Sequence, residues 1–149
     1  MQKYSVNRRS ARVFAMQLLY AMEVTAGTAG ECHGGVLDNS PDLSSEMTAY
    51  GISLVDIAQE HREDFEKIIA ETSKSWAIER MALVDVCVLR IALAELLYKA
   101  DAPAKVVLTE AVQIAAKYST EDSYSFINGI LNHVAEMQGI FPSTSKENL

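Results

Sequence analysis

Cysteine is scarce in this 149-residue chain: Cys32 and Cys87 stand alone. Two are too few for a disulfide framework or a thiolate zinc site. No stretch reaches the 18 or so consecutive apolar residues that a membrane helix needs. The opening MQKYSVNRRSAR has neither an apolar core nor a cleavage site of a secretory leader, so a cytoplasmic protein is expected. Walker, GxGxxG, HExxH and GxSxG patterns are all missing. His33, His61 and His133 are far apart, and none is near a plausible nucleophile. No enzyme activity, cofactor or metal is therefore expected.

What is present is a core-forming composition. Hydrophobic residues make up 49% and charged residues 22%, ordinary values for one globular domain of this length. The net charge is −7, which argues against non-specific coating of nucleic acid. The charge is unevenly placed. Lys3, Arg8, Arg9 and Arg12 precede the first acid, Glu23. A basic arm on an acidic body can hold a polyanion locally; a solvated first helical turn is the plainer alternative. Cations at a helix start oppose the helix dipole by about 0.3–1 kcal/mol each. Either an external phosphate or solvation should favour them there.

The apolar spacing is helical almost throughout. Val13, Met16, Gln17, Tyr20 and Val24 mark one face of a helix over 9–24. Residues 25–41 hold four of the seven glycines and end at Pro41; a mobile loop carrying Cys32 and His33 is expected. Residues 43–72 read as two helical segments with an acidic surface. Residues 76–100 are apolar nearly all round, so a central buried helix is expected. Its charges, Asp85, Arg90 and Glu95 among them, need an edge position or a partner. After Pro103 come helices over 104–118 and about 123–138, then a frayed tail over 142–149. Asn128-Gly129 could mark a hairpin, but Ile127, Ile130, Leu131, Val134 and Met137 keep helical spacing. Gly129 inside a helix costs about 1 kcal/mol relative to Ala, which a close backbone crossing would explain. The expectation is one all-α domain over 1–149 with six or seven helices.

Three stretches in order carry a family resemblance. The first is Arg8-Arg9-Ser10-Ala11-Arg12 with Gln17-Leu18-Leu19-Tyr20. The second is Trp76-Ala77-Ile78-Glu79-Arg80, with Asp85 and Leu89-Arg90-Ile91-Ala92-Leu93-Ala94-Glu95-Leu96. The third is Pro103, Val106 to Val112, and Phe126-Ile127-Asn128-Gly129-Ile130-Leu131. Together they resemble the NusB transcription antitermination factors from about residue 7 to 136. The resemblance implies a bundle of two packed three-helix subdomains and a non-enzymatic RNA-binding adaptor. It implies pairing with the ribosomal protein NusE. It also implies binding of single-stranded boxA RNA in nascent ribosomal RNA leaders, within an antitermination complex on RNA polymerase.

By the same resemblance Lys3, Arg8, Arg9, Arg12, Arg90, Tyr118, Asp122 and Phe126 match RNA-contacting positions. Tyr118 and Phe126 could equally be core aromatics, and Asp122 could accept from a base or cap the last helix. Tyr20 and Asp85 resemble positions facing NusE, where acid suits a basic partner. Asn128 and Glu110 read as helix–helix polar contacts around Gly129. Ala116 replaces a lysine usual in the family, which lowers positive charge near that face, and Ser119 replaces a glycine. Two other functions compete. A ribosomal-RNA methyltransferase with this fold at its N-terminus needs a Rossmann domain, which is not expected unless these 149 residues are a fragment. A self-associating interaction module with weak or lost RNA binding fits the acidity. The oligomeric expectation is a monomer or homodimer.

Overall fold

The structure, a computed structural model, describes residues 3–40, 42–73, 80–99 and 101–140, without the side chains of 3–7 and 121. Seven helices and no strands occur among them: α1 (Lys3–Thr25), α2 (Ala29–Asp38), α3 (Ser45–Glu60), α4 (Arg62–Ser73), α5 (Leu83–Tyr98), α6 (Ala104–Tyr118) and α7 (Glu121–Met137). No described helix is long and apolar enough to cross a membrane. The expected tail over 142–149 and the Trp76 to Glu79 stretch lie outside the described residues.

Helix α1 buries Ala11, Phe14, Ala15, Leu18, Leu19 and Met22 against α3 and α5. The spacing of three and four keeps those side chains on one stripe. At the α1–α3 crossing, a Cβ on Gly51 would lie 2.7 Å from the Phe14 ring and 2.9 Å from the Ala11 carbonyl. The close crossing expected at Gly129 is therefore made by Gly51. A Cβ on Gly129 would meet nothing within 4 Å among the described residues.

The expected loop over 25–41 is largely helix α2, which corrects the reading from glycine content. Its start is fixed by a capping box: Glu31 N–H donates to Thr28 Oγ1 (3.1 Å), and Thr28 N–H to Glu31 Oε1 (2.9 Å). Two backbone donors that would lack a partner at a helix start are thus satisfied. α1 ends just before it, where Ala26 takes the left-handed φ of 58°, a common way to close a helix.

Helix α5 is the hub. It packs on α1, α3, α4, α6 and α7. Eleven of its sixteen residues are buried, Asp85, Arg90 and Glu95 among them. Pro103 opens α6, as expected of a residue with no N–H to lose.

Candidate nucleic-acid interface

The basic start of α1 does not stand free in solvent. Arg12 is 3% exposed and closes on buried Glu95 of α5 through Nε (2.7 Å) and Nη2 (2.8 Å). Its Nη1 lies 3.7 Å from Glu110 of α6. Arg9 makes the same two-bond fork with Glu110, at 2.8 and 2.7 Å, and also donates to Gln113. Those bonds raise the Arg9 guanidinium above its usual range. Arg8 donates to Asp101 (3.1 Å) and to the Tyr50 hydroxyl (3.3 Å), and lies over the Tyr50 ring. Tyr50 in turn donates to Glu95 (2.7 Å); burial first, then the Glu95 charge, push its phenol well above the ordinary value. Acids from α5, α6 and the loop before α6 thus offset the dipole penalty, where sequence reasoning allowed only phosphate or water.

This arrangement corrects Arg12 as a phosphate-contacting residue: its guanidinium is buried and forked onto Glu95. Arg9 keeps half of its side chain exposed and Arg8 about a fifth. The Lys3 side chain lies outside the described residues.

Arg90 is corrected in the same way. It is 1% exposed and sits inside the bundle, not on an RNA-facing surface. It donates to Glu23 (3.3 Å), the Ala58 carbonyl (3.0 Å) and Gln59 (2.6 Å). Arg62 of α4 also pairs with Glu23. Burial, with Arg62 nearby, draws the Arg90 guanidinium below its usual value. One arginine therefore ties α5 to α1 and α3, and through Glu23 to α4.

At the start of α7 the structure brings together residues that the sequence assigned to two different partners. Thr120 is the N-cap and shares a capping box with Ser123, so Asp122 does not cap the helix. Asp122 is exposed. Ser123 Oγ donates to Asp85 Oδ2 at 2.8 Å. Asp85 is 7% exposed, so this bond gives it the partner that a charge on an apolar helix needs. Arg80, Asp85, Thr120, Asp122, Ser123 and half-buried Phe126 line one cleft of about 270 Å3. Sequence reasoning missed Arg80, Thr120 and Ser123. The Thr-x-x-Ser spacing into an apolar run was the available signal for the last two.

Of the aromatics, Tyr118 is exposed at the end of α6 with the Lys117 ammonium 5.4 Å from its ring centre. Tyr20 is exposed on α1, away from the core. Asn128 is also exposed; its side-chain and backbone oxygens accept from Asn132 within α7. Glu110 does bridge helices, but to α1 and not around Gly129.

The NusB family model matches residues 9–136. The chain belongs to the NusB family. The transcription antitermination protein NusB of Geobacter sulfurreducens is 41% identical over 128 residues, covering 86% of this chain and 93% of that protein. The NusB of Thermodesulfovibrio yellowstonii is 36% identical over 140 residues, covering 88% and 93%. Among solved structures, antitermination factors NusB and NusE in complex with double-stranded RNA include a chain 28% identical, with a TM-score of 0.80. That match covers 92% of this chain and 99% of that one. NusB of T. maritima matches with a TM-score of 0.78 at 28% identity, covering 87% and 90%. The NusB match runs from Arg9 to the last turn of α7, so the Arg9 and Arg12 ion pairs and the cleft lie within it.

Proposed function

We propose that this chain is a non-enzymatic transcription antitermination factor that works as a pair with ribosomal protein NusE. The pair binds single-stranded boxA RNA in nascent ribosomal RNA leaders and anchors a complex on RNA polymerase that resists termination. The observation that carries this reading is the NusB match over residues 9–136, joined to a NusB relative solved with NusE and RNA.

The electrostatics support a shared RNA site. The chain carries −7, and its α1 arginines are largely engaged by Glu95, Glu110 and Asp101. Phosphate contact falls to Lys3 and to Arg8 and Arg9, the two that keep exposed surface. RNA affinity of the lone chain is then weak, because few cations are left to release counterions. A basic ribosomal protein supplies the missing field. Exposed Tyr20 is the residue offered to NusE. Tyr118, Asp122 and Phe126 bracket the RNA-facing start of α7. The working compartment is the cytoplasm, where transcripts emerge.

The same acidity favours a second reading, a self-associating module whose RNA binding is weak or lost. One titration separates the two. BoxA RNA is titrated with the chain alone and with NusE added, while the chain's own mass is followed by sedimentation. The adaptor reading expects apparent affinity to rise with NusE. Equal affinity in both arms, with the chain dimeric, favours self-association.

A further inference from the structure

Arg8 meets two partners of different kinds. One is Tyr50, whose ring centre lies 4.2 Å from the guanidinium carbon and whose hydroxyl accepts from Nη1 at 3.3 Å. That hydroxyl donates in turn to buried Glu95, so the ring is a fixed platform. The other is Asp101, in the connection between α5 and α6, which accepts from Nη2 at 3.1 Å. The bond to Arg8 holds the Asp101 carboxyl below the usual carboxylate range, so an anion stands there. More than half of the Asp101 side chain is in water. A single-bonded, exposed ion pair contributes little.

A second cation shares the platform. The Lys99 ammonium lies 5.1 Å from the Tyr50 ring centre, and its charge also acts on Asp101. Arg8 and Lys99 thus converge on one ring beside one exposed carboxylate.

We propose that Asp101 occupies a phosphate site built from Arg8, Lys99 and the Tyr50 ring, and that RNA binds there by displacing it. The inference rests on the RNA-binding reading above and deepens it. A carboxylate and a phosphodiester both offer oxygens that a guanidinium accepts as partners. When phosphate arrives, Asp101 turns to water, while Tyr50 keeps Arg8 in place, so little side-chain order has to be created. The Arg9 pair cannot open in this way. Its acid, Glu110, is buried and takes two bonds, and leaving it without a cation would strand a charge in the interior. Asp101 is therefore the acid that competes with RNA inside this chain. Two cations on an aromatic platform suit a phosphodiester, whereas a neutral base gains no charge interaction there. Lys99 and Tyr50 join the RNA path, the first as a phosphate contact and the second as the positioning residue of Arg8.

The test uses the full chain with NusE and labelled boxA RNA at about 0.15 M salt, where screening sets in at about 8 Å. Binding is read by fluorescence anisotropy. Asp101→Asn should tighten binding about two- to five-fold, the strength of one exposed ion pair expressed as a ratio. Glu60→Gln makes the same change of charge about 15 Å further along α3 from Tyr50, and should leave binding unchanged. In an Arg8→Ala background, Asp101→Asn should gain nothing. Lys99→Ala should weaken binding and flatten its salt dependence by about 0.7, the value of one single-strand phosphate. Circular dichroism checks the fold of each variant, and Asp101→Ala carries the same test should Asp101→Asn not fold. The inference is overturned if removing the Asp101 charge leaves affinity unchanged, if Glu60→Gln gains as much, or if the gain survives without Arg8. An unchanged salt slope in Lys99→Ala overturns the two-cation site. Absence of RNA binding by every form with NusE present overturns the functional reading itself, whereas binding that ignores Asp101 overturns this inference alone.

Discussion

At the seam between α1 and α5, Arg12 and Glu95 are both buried and close on each other through two hydrogen bonds. At the start of α7, Asp85 is nearly as buried, yet one of its oxygens has no donor among the described residues. The seam carries the chain's densest positive charge in sequence and turns it inward. The cleft has no charge cluster to announce it in sequence and leaves one carboxylate oxygen without a donor among the described residues. Local charge density therefore does not report available charge. What reports it is which groups still lack partners after the helices have packed.

The comparison is open to attack from the seam side first. Glu95→Ala should strand the Arg12 guanidinium and remove the acceptor of Tyr50, costing about 3–5 kcal/mol in urea unfolding, as expected when one member of a buried pair is lost. A cost under roughly 1 kcal/mol would mean that water reaches the seam, against the burial described. Replacing Arg12 by Met and Glu95 by Leu together should recover most of the loss, since an apolar pair of similar volume is often neutral.

Two helix glycines, Gly51 of α3 and Gly129 of α7, sharpen the contrast between packed and open regions. Gly51→Ala should cost about 1–3 kcal/mol, because its Cβ would press on the Ala11 carbonyl, which cannot move without α1. Gly129→Ala faces open space and should instead stabilise by about 1 kcal/mol through helix propensity. Thermal melts of the pair should move in opposite directions.

A smaller effect separates the seam's rim from its interior. Arg9→Ala should cost about 1–3 kcal/mol, because half of Arg9 is in water but both oxygens of buried Glu110 lose their donor. With NusE present, it should flatten the salt dependence of boxA binding by about 0.7, the value of one single-strand phosphate. An unchanged slope would remove Arg9 from the RNA path.

The smallest effect concerns the thiols. Burial pushes the Cys87 thiol up to about 12 from its ordinary 9.0. The unfolded chain ionises there near 9 while the folded chain stays neutral. That contribution to stability is complete below pH 9 and declines as pH rises toward 12. Cys87 should resist alkylation until the chain unfolds, whereas half-buried Cys32 should react in the folded state.

Most helix positions were legible because apolar spacing, Pro103 and the polar breaks act locally. The ends of α6 and α7 fall within two residues of the expected ones. The pairing of Arg9 with Glu110 and of Arg12 with Glu95 spans 101 and 83 positions, and no local pattern encodes it. Arg90 was read as a surface cation because its acceptors, Glu23 and the Ala58 carbonyl, lie on α1 and α3. The α2 error has a different origin. The glycines there point to a loop, while Thr28-x-x-Glu31 is the capping box that starts a helix. At the candidate site, Asp122 and Phe126 were found by resemblance, whereas the Asp85–Ser123 bond could be found only once α5 and α7 were packed.

Helix α2 buries none of its residues and contains three glycines. Its order rests on the capping box and on one side lying against α1. Its opening free energy is therefore set locally and is small compared with that of global unfolding. Amide hydrogens in α2 should exchange with solvent deuterium long before those of α5, and a protease should nick the chain there first. Insertions in α2 should be tolerated, leaving the seam and the cleft undisturbed.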